Sequence, residues 1–497
     1  MNSIAIYESI VPLLAVVVSL MAIPLILISS SQPKLREFWT LAAAIVKFSL
    51  VFSLLPGALD GKVAAMDIIQ LFPNISLSLK ADALGVFFGL ISSFLWIVTS
   101  IYSIGYVRIL KEKHQTRYFA SFALCLSSTL GIAFAGNLLT FIIFYELLTV
   151  ATYPLVIHKG TTVAIKAGRK YLVYTLTAGV LLVAAIAVTS QMIGQVEFQA
   201  GGISEFKNLS PLTIKVLFVL FVGGLGVKAA IIPLHSWLPT AMIAPTPASA
   251  LLHAVAVVKS GVFGIVRLVG FVFGPEILSQ FGLNGVLVIL AGFTILVSSL
   301  LAFSENNLKG RLAYSTISHL SYIVMGVALM SPSGLIGGLL HIVNHAILKI
   351  TLFFCAGAIY VNFHKEKITE LNGIGRAMPW TMGAFTLASI GLVGIPPVNG
   401  FMSKWYLGLG ALESGQTIVL IILLISGLLN AGYFFPIVYR AFFKESEEFK
   451  SSKEASKWMV VPLVFTAVLS VFIGVKPDLF FKFFSLAVQI SQEMLGV

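Results

Sequence analysis

Long runs of apolar residues recur along almost the whole chain, separated by short polar segments. About fourteen of these runs approach the ~20 residues that an α-helix needs to cross a bilayer. The pattern therefore predicts an all-α polytopic membrane protein. The predicted spans cover residues 9–29, 38–56, 82–104, 118–136, 138–157, 169–192, 213–233, 247–270, 284–303, 311–330, 335–360, 380–411, 416–441 and 458–475.

Two of the predicted spans contain prolines that should interrupt a helix. Pro233 lies at the end of the seventh span, and Pro396 and Pro397 lie within the twelfth. Proline removes a helical hydrogen bond, and in a bilayer such a break is tolerated only against protein or a water-filled cavity. Paired breaks at matching positions indicate an ion or substrate pathway in transporters built from inverted repeats.

The spacing of the breaks indicates how the chain is organised. If residues 118–270 and 284–441 each form five helices, both breaks fall in the fourth helix of their repeat. An odd number of helices inverts the second repeat across the membrane. Residues 1–117 then form three preceding helices. Residues 442–497 form the last helix and a C-terminal segment, which is predicted to be an amphipathic helix on the membrane interface.

Composition supports this architecture and excludes other classes of protein. Apolar residues make up 58% and charged residues 10% of the 497 residues, whereas about 25% of an average soluble domain is charged. A soluble globular protein, a disordered chain and a disulfide scaffold are therefore excluded. Cys125 and Cys355 are too few to bind an Fe–S cluster or a structural zinc unaided, so we interpret them as packing thiols. We expect no cofactor or metal ion in this chain.

The net charge of +12 would suit a nucleic-acid partner only if the basic residues formed one patch. Instead they are concentrated in alternate short loops, namely residues 34–36, 108–117, 159–170, 309–311, 365–376 and 440–457. The positive-inside rule places these loops in the cytoplasm. We therefore expect both termini on the outer side of a prokaryotic cell membrane, and no nucleic-acid partner.

Several basic residues fall inside predicted spans, where each costs ~2.5–3.5 kcal/mol at the bilayer centre. They are Lys47, Lys228, Lys259, Arg267, Lys349 and Lys404. We interpret Arg267 as a residue that snorkels from a helix end to the interface, and we assign Lys47 no role. The other four lie deep or beside the breaks, and lysine, unlike arginine, readily loses its proton when buried. We interpret these four lysines as functional.

One acid stands alone in the fifth span. Glu146 has no other charged residue between Arg117 and Lys159. A lone buried carboxylate is driven to its neutral form, whereas a lysine on a neighbouring helix would keep both groups charged, and Lys228 is the natural candidate. The pair is either a static salt bridge that holds two helices together or a switchable pair that controls the lysine's proton.

Histidines lie on the same helices as the buried lysines. His341, His345 and Lys349 are four residues apart in turn and share one helix face. His253 lies on the eighth span and His319 on the tenth. Such side chains alternate donors and acceptors, and histidine titrates near neutral pH, so they predict a hydrated proton path. Metal binding by two histidines is disfavoured because no nearby carboxylate completes a site.

Two segments around the first break resemble a known family signature. They are Gly226-Val-Lys-Ala-Ala-Ile-Ile-Pro-Leu-His-Ser-Trp-Leu-Pro239 and Ala244-Pro-Thr-Pro-Ala-Ser-Ala-Leu-Leu-His-Ala254. They are similar to the antiporter-like subunits of respiratory complex I, of Mrp-type cation/proton antiporters and of membrane-bound hydrogenases. The resemblance extends from about Asp82 to Phe443. It implies fourteen helices with two inverted five-helix repeats, in agreement with the pattern above.

The resemblance implies roles at the positions that match the family's pattern. Glu146 resembles the acid that pairs with the broken-helix lysine, which is Lys228, and Lys259 matches the central lysine that links two half-channels. The implied relay comprises His253, His319, His341, His345 and Lys349, and it ends at Lys404. One complex I subunit type has glutamate in place of this last lysine. The lysine, with a chain of 497 residues and no long C-terminal lateral helix, makes the chain look more like the Mrp D subunit type or its hydrogenase relatives, although other complex I subunits share the lysine.

We therefore expect a subunit of a larger membrane complex that moves protons, or exchanges Na⁺ for protons, alongside other membrane subunits. One alternative is a redox-driven pump of the complex I (NADH-quinone oxidoreductase) or hydrogenase type, with a hydrophilic Fe–S arm as a further partner. Another is a structural membrane anchor, which would not need four deep lysines. The sequence contains no Walker loop, HExxH motif or nucleophile elbow that would indicate a chemical active site.

Overall fold

Helices occupy every predicted span in the structure, a computed structural model that describes residues 5–72, 75–194, 197–449 and 451–496. The first helices are α1 (Val11–Ile28), α2 (Pro33–Ser53), α3 (Leu55–Leu59), α4 (Ala83–Ile109), α5 (Gln115–Ala133), α6 (Leu138–Val156), α7 (Thr162–Ile193), α8 (Pro211–Lys228), α9 (Trp237–Thr240), α10 (Thr246–Ala254) and α11 (Val257–Arg267). They are followed by α12 (Gly274–Gln280), α13 (Leu283–Ser304), α14 (Leu308–Ala328), α15 (Pro332–Phe363), α16 (Ile374–Ala377), α17 (Pro379–Val393), α18 (Gly400–Glu413), α19 (Thr417–Phe443), α20 (Lys457–Val475) and α21 (Phe483–Leu495).

Within the described residues, eleven helical segments are long and apolar enough to cross a membrane. Three of the predicted spans are not among them. Helices α5 and α14 are long but contain many polar residues, and the twelfth span is divided between α17 and α18, which are each too short to cross alone. The fold is that of a multi-pass membrane protein, and the number fourteen stays a prediction.

Both predicted helix breaks are present. Helix α8 ends at Lys228, and the chain containing Pro233 continues without regular helix until α9. Helix α17 ends before Pro396 and Pro397, and α18 begins after them. Each broken end leaves backbone carbonyls without a helical partner, which makes them available to other donors.

The eighth span has a further interruption that the sequence did not predict. Helices α10 and α11 are separated by Val255 (φ −132°, ψ −55°) and Ala256 (φ −87°, ψ −84°), neither of which has helical backbone angles. After α11 the backbone becomes π-helical over Leu268–Phe273. His253 and Lys259, which share one predicted span, therefore lie on two different helices.

A small sheet, absent from the predicted all-α fold, covers one face of the bundle. Strand β1 (Ala5–Glu8) pairs in parallel with β2 (Lys62–Phe72), which pairs in antiparallel with β3 (Ile75–Ala81). Helix α21 lies on the same face, where Gln489 donates to the Ala58 carbonyl (2.8 Å). Its apolar side chains pack against the protein. We call this side of the molecule the sheet face.

The opposite side carries the loops in which lysine and arginine are concentrated. These loops bind one another: Arg117 donates to the His158 carbonyl (3.2 Å), and the Leu308 amide donates to the Glu366 carbonyl (2.8 Å). We call this side the basic face.

Arg267 was predicted to snorkel to the interface, and this prediction was wrong. Its side chain is buried and forms an ion pair with Asp82. Its guanidinium donates two hydrogen bonds to the carboxylate of Asp82. Asp82 also caps α4 by accepting from the Gly85 amide (2.8 Å). The sequence could not reveal this pairing because the two residues are far apart in the chain. Lys47, which was assigned no role, donates to Ser19 Oγ (2.6 Å).

Gly261 allows α11 to pack directly on the first helix break. A Cβ atom there would lie 2.2 Å from the Ala229 nitrogen and 2.5 Å from the Lys228 carbonyl carbon. We expect Gly261→Ala to destabilise the protein by ~1–3 kcal/mol, because backbone cannot move aside as a side chain can. Thermal unfolding of the purified protein measures this loss. Gly285→Ala is the control, since no atom lies within 4 Å of that position; equal melting temperatures for the two variants would contradict the packing.

Candidate functional site

The predicted site residues lie inside the bundle in two groups. Glu146, Lys228 and Lys259 surround the first break. The second group lies on α14, α15 and α18, with His253 on α10 beside it. This group comprises His319, His341, His345, Lys349 and Lys404. Apart from Glu146 and Lys404, which are partly exposed, these residues are buried.

Lys228 is the last residue of α8 and contacts α6. Its Nζ donates to the Tyr145 carbonyl (2.5 Å) and lies 3.4 Å from the centre of the Tyr145 ring. A carbonyl oxygen and an aromatic face both stabilise an ammonium group that has lost contact with water. The end of α8 at the break thus places the Lys228 amine against Tyr145, the residue directly before Glu146.

Glu146 packs against α7, where Gly179 leaves room for its carboxylate. A Cβ atom at Gly179 would lie 2.7 Å from Glu146 Cδ. Oε1 of Glu146 is buried and makes no hydrogen bond to the described residues. Glu146 and Lys228 act on one another electrostatically, but no direct ion pair joins them in the described structure. In this structure the two groups therefore do not form a closed salt bridge, and the switchable pair stays a prediction.

Lys259 is the most isolated of the buried amines. The close approach at Gly261 places its helix beside the first break. Its Nζ is buried and has no hydrogen-bond partner among the described residues. Buried polar groups of this kind are normally satisfied by ordered water. Across the bundle it is the charged neighbour of His345 and Lys349.

His319 and His341 form a directed chain of hydrogen bonds. The Asn430 side-chain amide donates to His319 Nε2 (3.3 Å), and His319 Nδ1 lies 3.0 Å from His341 Nε2. His341 Nδ1 lies 2.8 Å from Ser403 Oγ. Since Nε2 of His319 accepts, its proton is on Nδ1, and the same assignment follows for His341. Two neutral imidazoles in one orientation can pass a proton by exchanging tautomers.

Lys404 lies against the second break. Its Nζ donates to the carbonyls of Leu392 (2.7 Å) and Val393 (2.9 Å) at the end of α17. A helix C-terminus carries partial negative charge and favours a cation there. Asn430 also donates to the Leu392 carbonyl (3.2 Å), so this one oxygen connects Lys404 to the histidine chain.

Asn430 and Tyr433 on α19 were missed by the sequence interpretation. The Tyr433 hydroxyl donates to Asn430 Oδ1, which fixes the amide orientation, and lies 3.0 Å from the Ser315 hydroxyl. A lone asparagine in an otherwise apolar span was the available signal.

The remaining predicted residues lie close to this chain. Lys349 Nζ donates to the Leu312 carbonyl (3.1 Å). The His345 ring centre lies 5.5 Å from that of His319. The ring nitrogens of His345 and His253 are buried and make no hydrogen bonds to the described residues. Lys404 borders an apolar groove of about 820 Å³ between α18 and α19 at the edge of the bundle.

Comparison with known proteins identifies the family. Residues 135–430 match the family model described as NADH:quinone oxidoreductase/Mrp antiporter, TM. NADH-quinone oxidoreductase subunit N of Desulforudis audaxviator is 30% identical over 84% of this chain and 83% of that protein. The A/B component of a probable K⁺/H⁺ antiporter of Rhizobium meliloti is 31% identical over 88% of this chain, which spans only 44% of that protein.

The fold has a solved counterpart. A chain of the Mrp complex from Dietzia sp. DQ12-45-1b superposes with a TM-score of 0.87 at 21% identity, covering 98% of this chain and 97% of that chain. This chain and that chain therefore share the same fold over almost their whole length.

The directed hydrogen bonds predict the tautomers of two histidines. We expect nitrogen-15 NMR of the labelled protein to show His319 and His341 neutral and protonated at Nδ1. Asn430→Leu should release His319 to a mixture of tautomers, because the donor to its Nε2 is lost. Ser389→Ala, whose hydroxyl bonds only within its own helix, is the control. Protonation at Nε2 in the unsubstituted protein would contradict the assigned direction.

Proposed function

We propose that this chain, which belongs to the NADH:quinone oxidoreductase/Mrp antiporter family of membrane subunits, translocates protons as one subunit of a multisubunit complex. The observation that carries the proposal is the continuous series of buried titratable groups between the two helix breaks. The series begins at Glu146 and Lys228 and ends at Lys404. A structural anchor would not need these groups, since each costs free energy to bury.

The first step is electrostatic. Glu146 and Lys228 are close enough to influence one another but are not locked in an ion pair. When the carboxylate gains or loses a proton, the stabilisation of the Lys228 ammonium changes. Helix α11 packs, at Gly261, on the peptide bond between Lys228 and Ala229. The charge state at the break therefore alters how strongly Lys259 holds its proton.

The second step moves the proton across the bundle. Lys259 gives its proton to water next to His345 and Lys349, on which it acts electrostatically. From there the imidazoles of His319 and His341 can pass it by tautomer exchange. The path ends at Lys404, whose amine is held by carbonyls of the second break and lies at the edge of the bundle.

The distribution of lysine and arginine supports an orientation with the basic face in the cytoplasm and both termini outside a prokaryotic cell membrane. Lys404 borders the apolar groove between α18 and α19, which supports a path that ends next to a neighbouring membrane subunit.

The relatives favour two sources of energy for the same machinery. The similarity to a component of a probable K⁺/H⁺ antiporter supports exchange driven by an ion gradient, with Na⁺ or K⁺ as the second ion. The similarity to an NADH-quinone oxidoreductase subunit supports a redox-driven pump with a hydrophilic Fe–S arm. Purification of the native complex distinguishes them: co-purified Fe–S subunits indicate the redox pump, and membrane subunits alone indicate the antiporter.

Glu146→Gln removes the titratable group but keeps its size. We expect proton transport by the reconstituted complex to fall roughly hundredfold, with assembly unchanged, because the carboxamide cannot change charge. Proton uptake into vesicles measures this. Glu276→Gln is the control, since Glu276 pairs with Lys207 on the exposed sheet face (2.6 Å). Transport at the unsubstituted rate in Glu146→Gln would contradict the proposed function.

A further inference from the structure

We infer that Lys309 loads protons into the path from the basic face. The inference rests on the proposed function and adds a residue to it. From the sequence, Lys309 was interpreted only as one of the basic loop residues that set the orientation of the chain in the membrane. In the structure it lies in the first turn of α14, with its amine turned toward the interior.

Lys309 lines a small cavity at the basic face. The cavity lies between α4, α10, α14 and α15, and its lining consists of Tyr106, Lys159, Thr246, Leu308, Lys309, Ala356, Tyr360, Lys365 and Glu366. About 10 Å³ is open to the centre of a water molecule, which is close to the least volume that holds one water. Lys159 and Glu366 are exposed, so the cavity borders bulk solvent.

The Lys309 amine is held by a backbone carbonyl beside the first turn of α14. Its Nζ donates to the Ala244 carbonyl (3.0 Å), in the loop that leads from the first break to α10. The same loop continues into Thr246, whose amide donates to the Tyr106 hydroxyl (3.5 Å). The amine thus sits at the mouth of the cavity and at the start of the helix that carries His253.

His253 is the next titratable group inward. It lies two helical turns beyond Thr246 on the same face of α10. Lys309 and Lys349 are the two cations that act on it electrostatically, one from the basic face and one from the bundle interior. Both ring nitrogens of His253 make no hydrogen bond to the described residues. His253 therefore stands between Lys309 and the relay.

The environment of Lys309 suits exchange with solvent. Burial, as the largest cause, and the neighbouring Lys159 lower the pKa of Lys309, and Glu366 raises it; together they bring the pKa to about 8. The other titratable groups around the cavity are Tyr106, Tyr360 and Lys365. Near neutral pH both the amine and the ammonium are populated, whereas an ordinary lysine stays charged.

The proposed step consists of two successive proton transfers. The neutral Lys309 amine takes a proton from cavity water, and the hydroxide that remains is neutralised by bulk solvent. The ammonium then gives the proton through water to the neutral His253 imidazole and returns to the amine. No other bond forms or breaks.

Substitution by arginine separates this role from a structural one. Arginine keeps the positive charge and a donor for the Ala244 carbonyl, but it does not release a proton in proteins. We expect Lys309→Arg to reduce proton uptake by the reconstituted complex about tenfold or more. We expect Lys309→His to retain transport, with its pH dependence displaced to lower pH because histidine titrates near 6.5. Lys159→Arg, at an exposed position on the same cavity, should transport normally.

Full transport by Lys309→Arg would overturn the inference, because a positive charge and a hydrogen bond to the Ala244 carbonyl would then be enough for transport without release of a proton at this position. Loss of transport in both Lys309 variants with intact assembly would also overturn it, since histidine can relay a proton. If the variants fail to assemble, the pH dependence of lysine acetylation in the unsubstituted complex decides: half-reaction near pH 8 at Lys309 supports the inference, and a value near 10.5 contradicts it. Glu146→Gln, measured in parallel, reports separately on the proposed function.

Discussion

Backbone carbonyl oxygens make it possible to bury several lysines in this bundle. Lys228, Lys349 and Lys404 each donate to a carbonyl from a neighbouring or broken helix. A charged amine in the bilayer centre costs several kcal/mol, and a charge-assisted hydrogen bond offsets part of that cost. Unlike a carboxylate partner, a carbonyl has no charge of its own, so it supports the amine without fixing its charge state.

Lys259 and Arg267 show the two extremes of this arrangement on one helix. Arg267 is bound by the carboxylate of Asp82 and holds the start of α4 to the end of α11. Such a pair fixes charge and position together. Lys259, two turns away, has no oxygen within reach among the described residues and depends on water. The same helix therefore combines a structural cation with one that is free to change its charge.

Much of the architecture and most of the site residues could be predicted from the sequence. The helical spans follow from apolar content, and the breaks follow from Pro233 and Pro396 because proline acts locally. Two features could not be predicted. The break at Val255 has no proline to mark it, and the lack of contact between Glu146 and Lys228 depends on how three helices pack. The strands lie between two predicted spans, where the alternation in Ile75-Ser-Leu-Ser-Leu-Lys-Ala81 was a signal that an interpretation based on long apolar runs did not use. Lys309 was assigned to a loop because a lysine at the end of an apolar run is typical of the interface.

Lys259 has the central role in the proposed path, since it carries the proton between the two helix breaks. The most direct test is proton flux through the reconstituted complex with Lys259→Met, which keeps the length of the side chain and removes its titratable amine. We predict that flux is lost while the complex stays assembled, because Lys259 lies on the helix packed against the first break and acts electrostatically on His345. Flux equal to that of the unsubstituted complex would contradict this role.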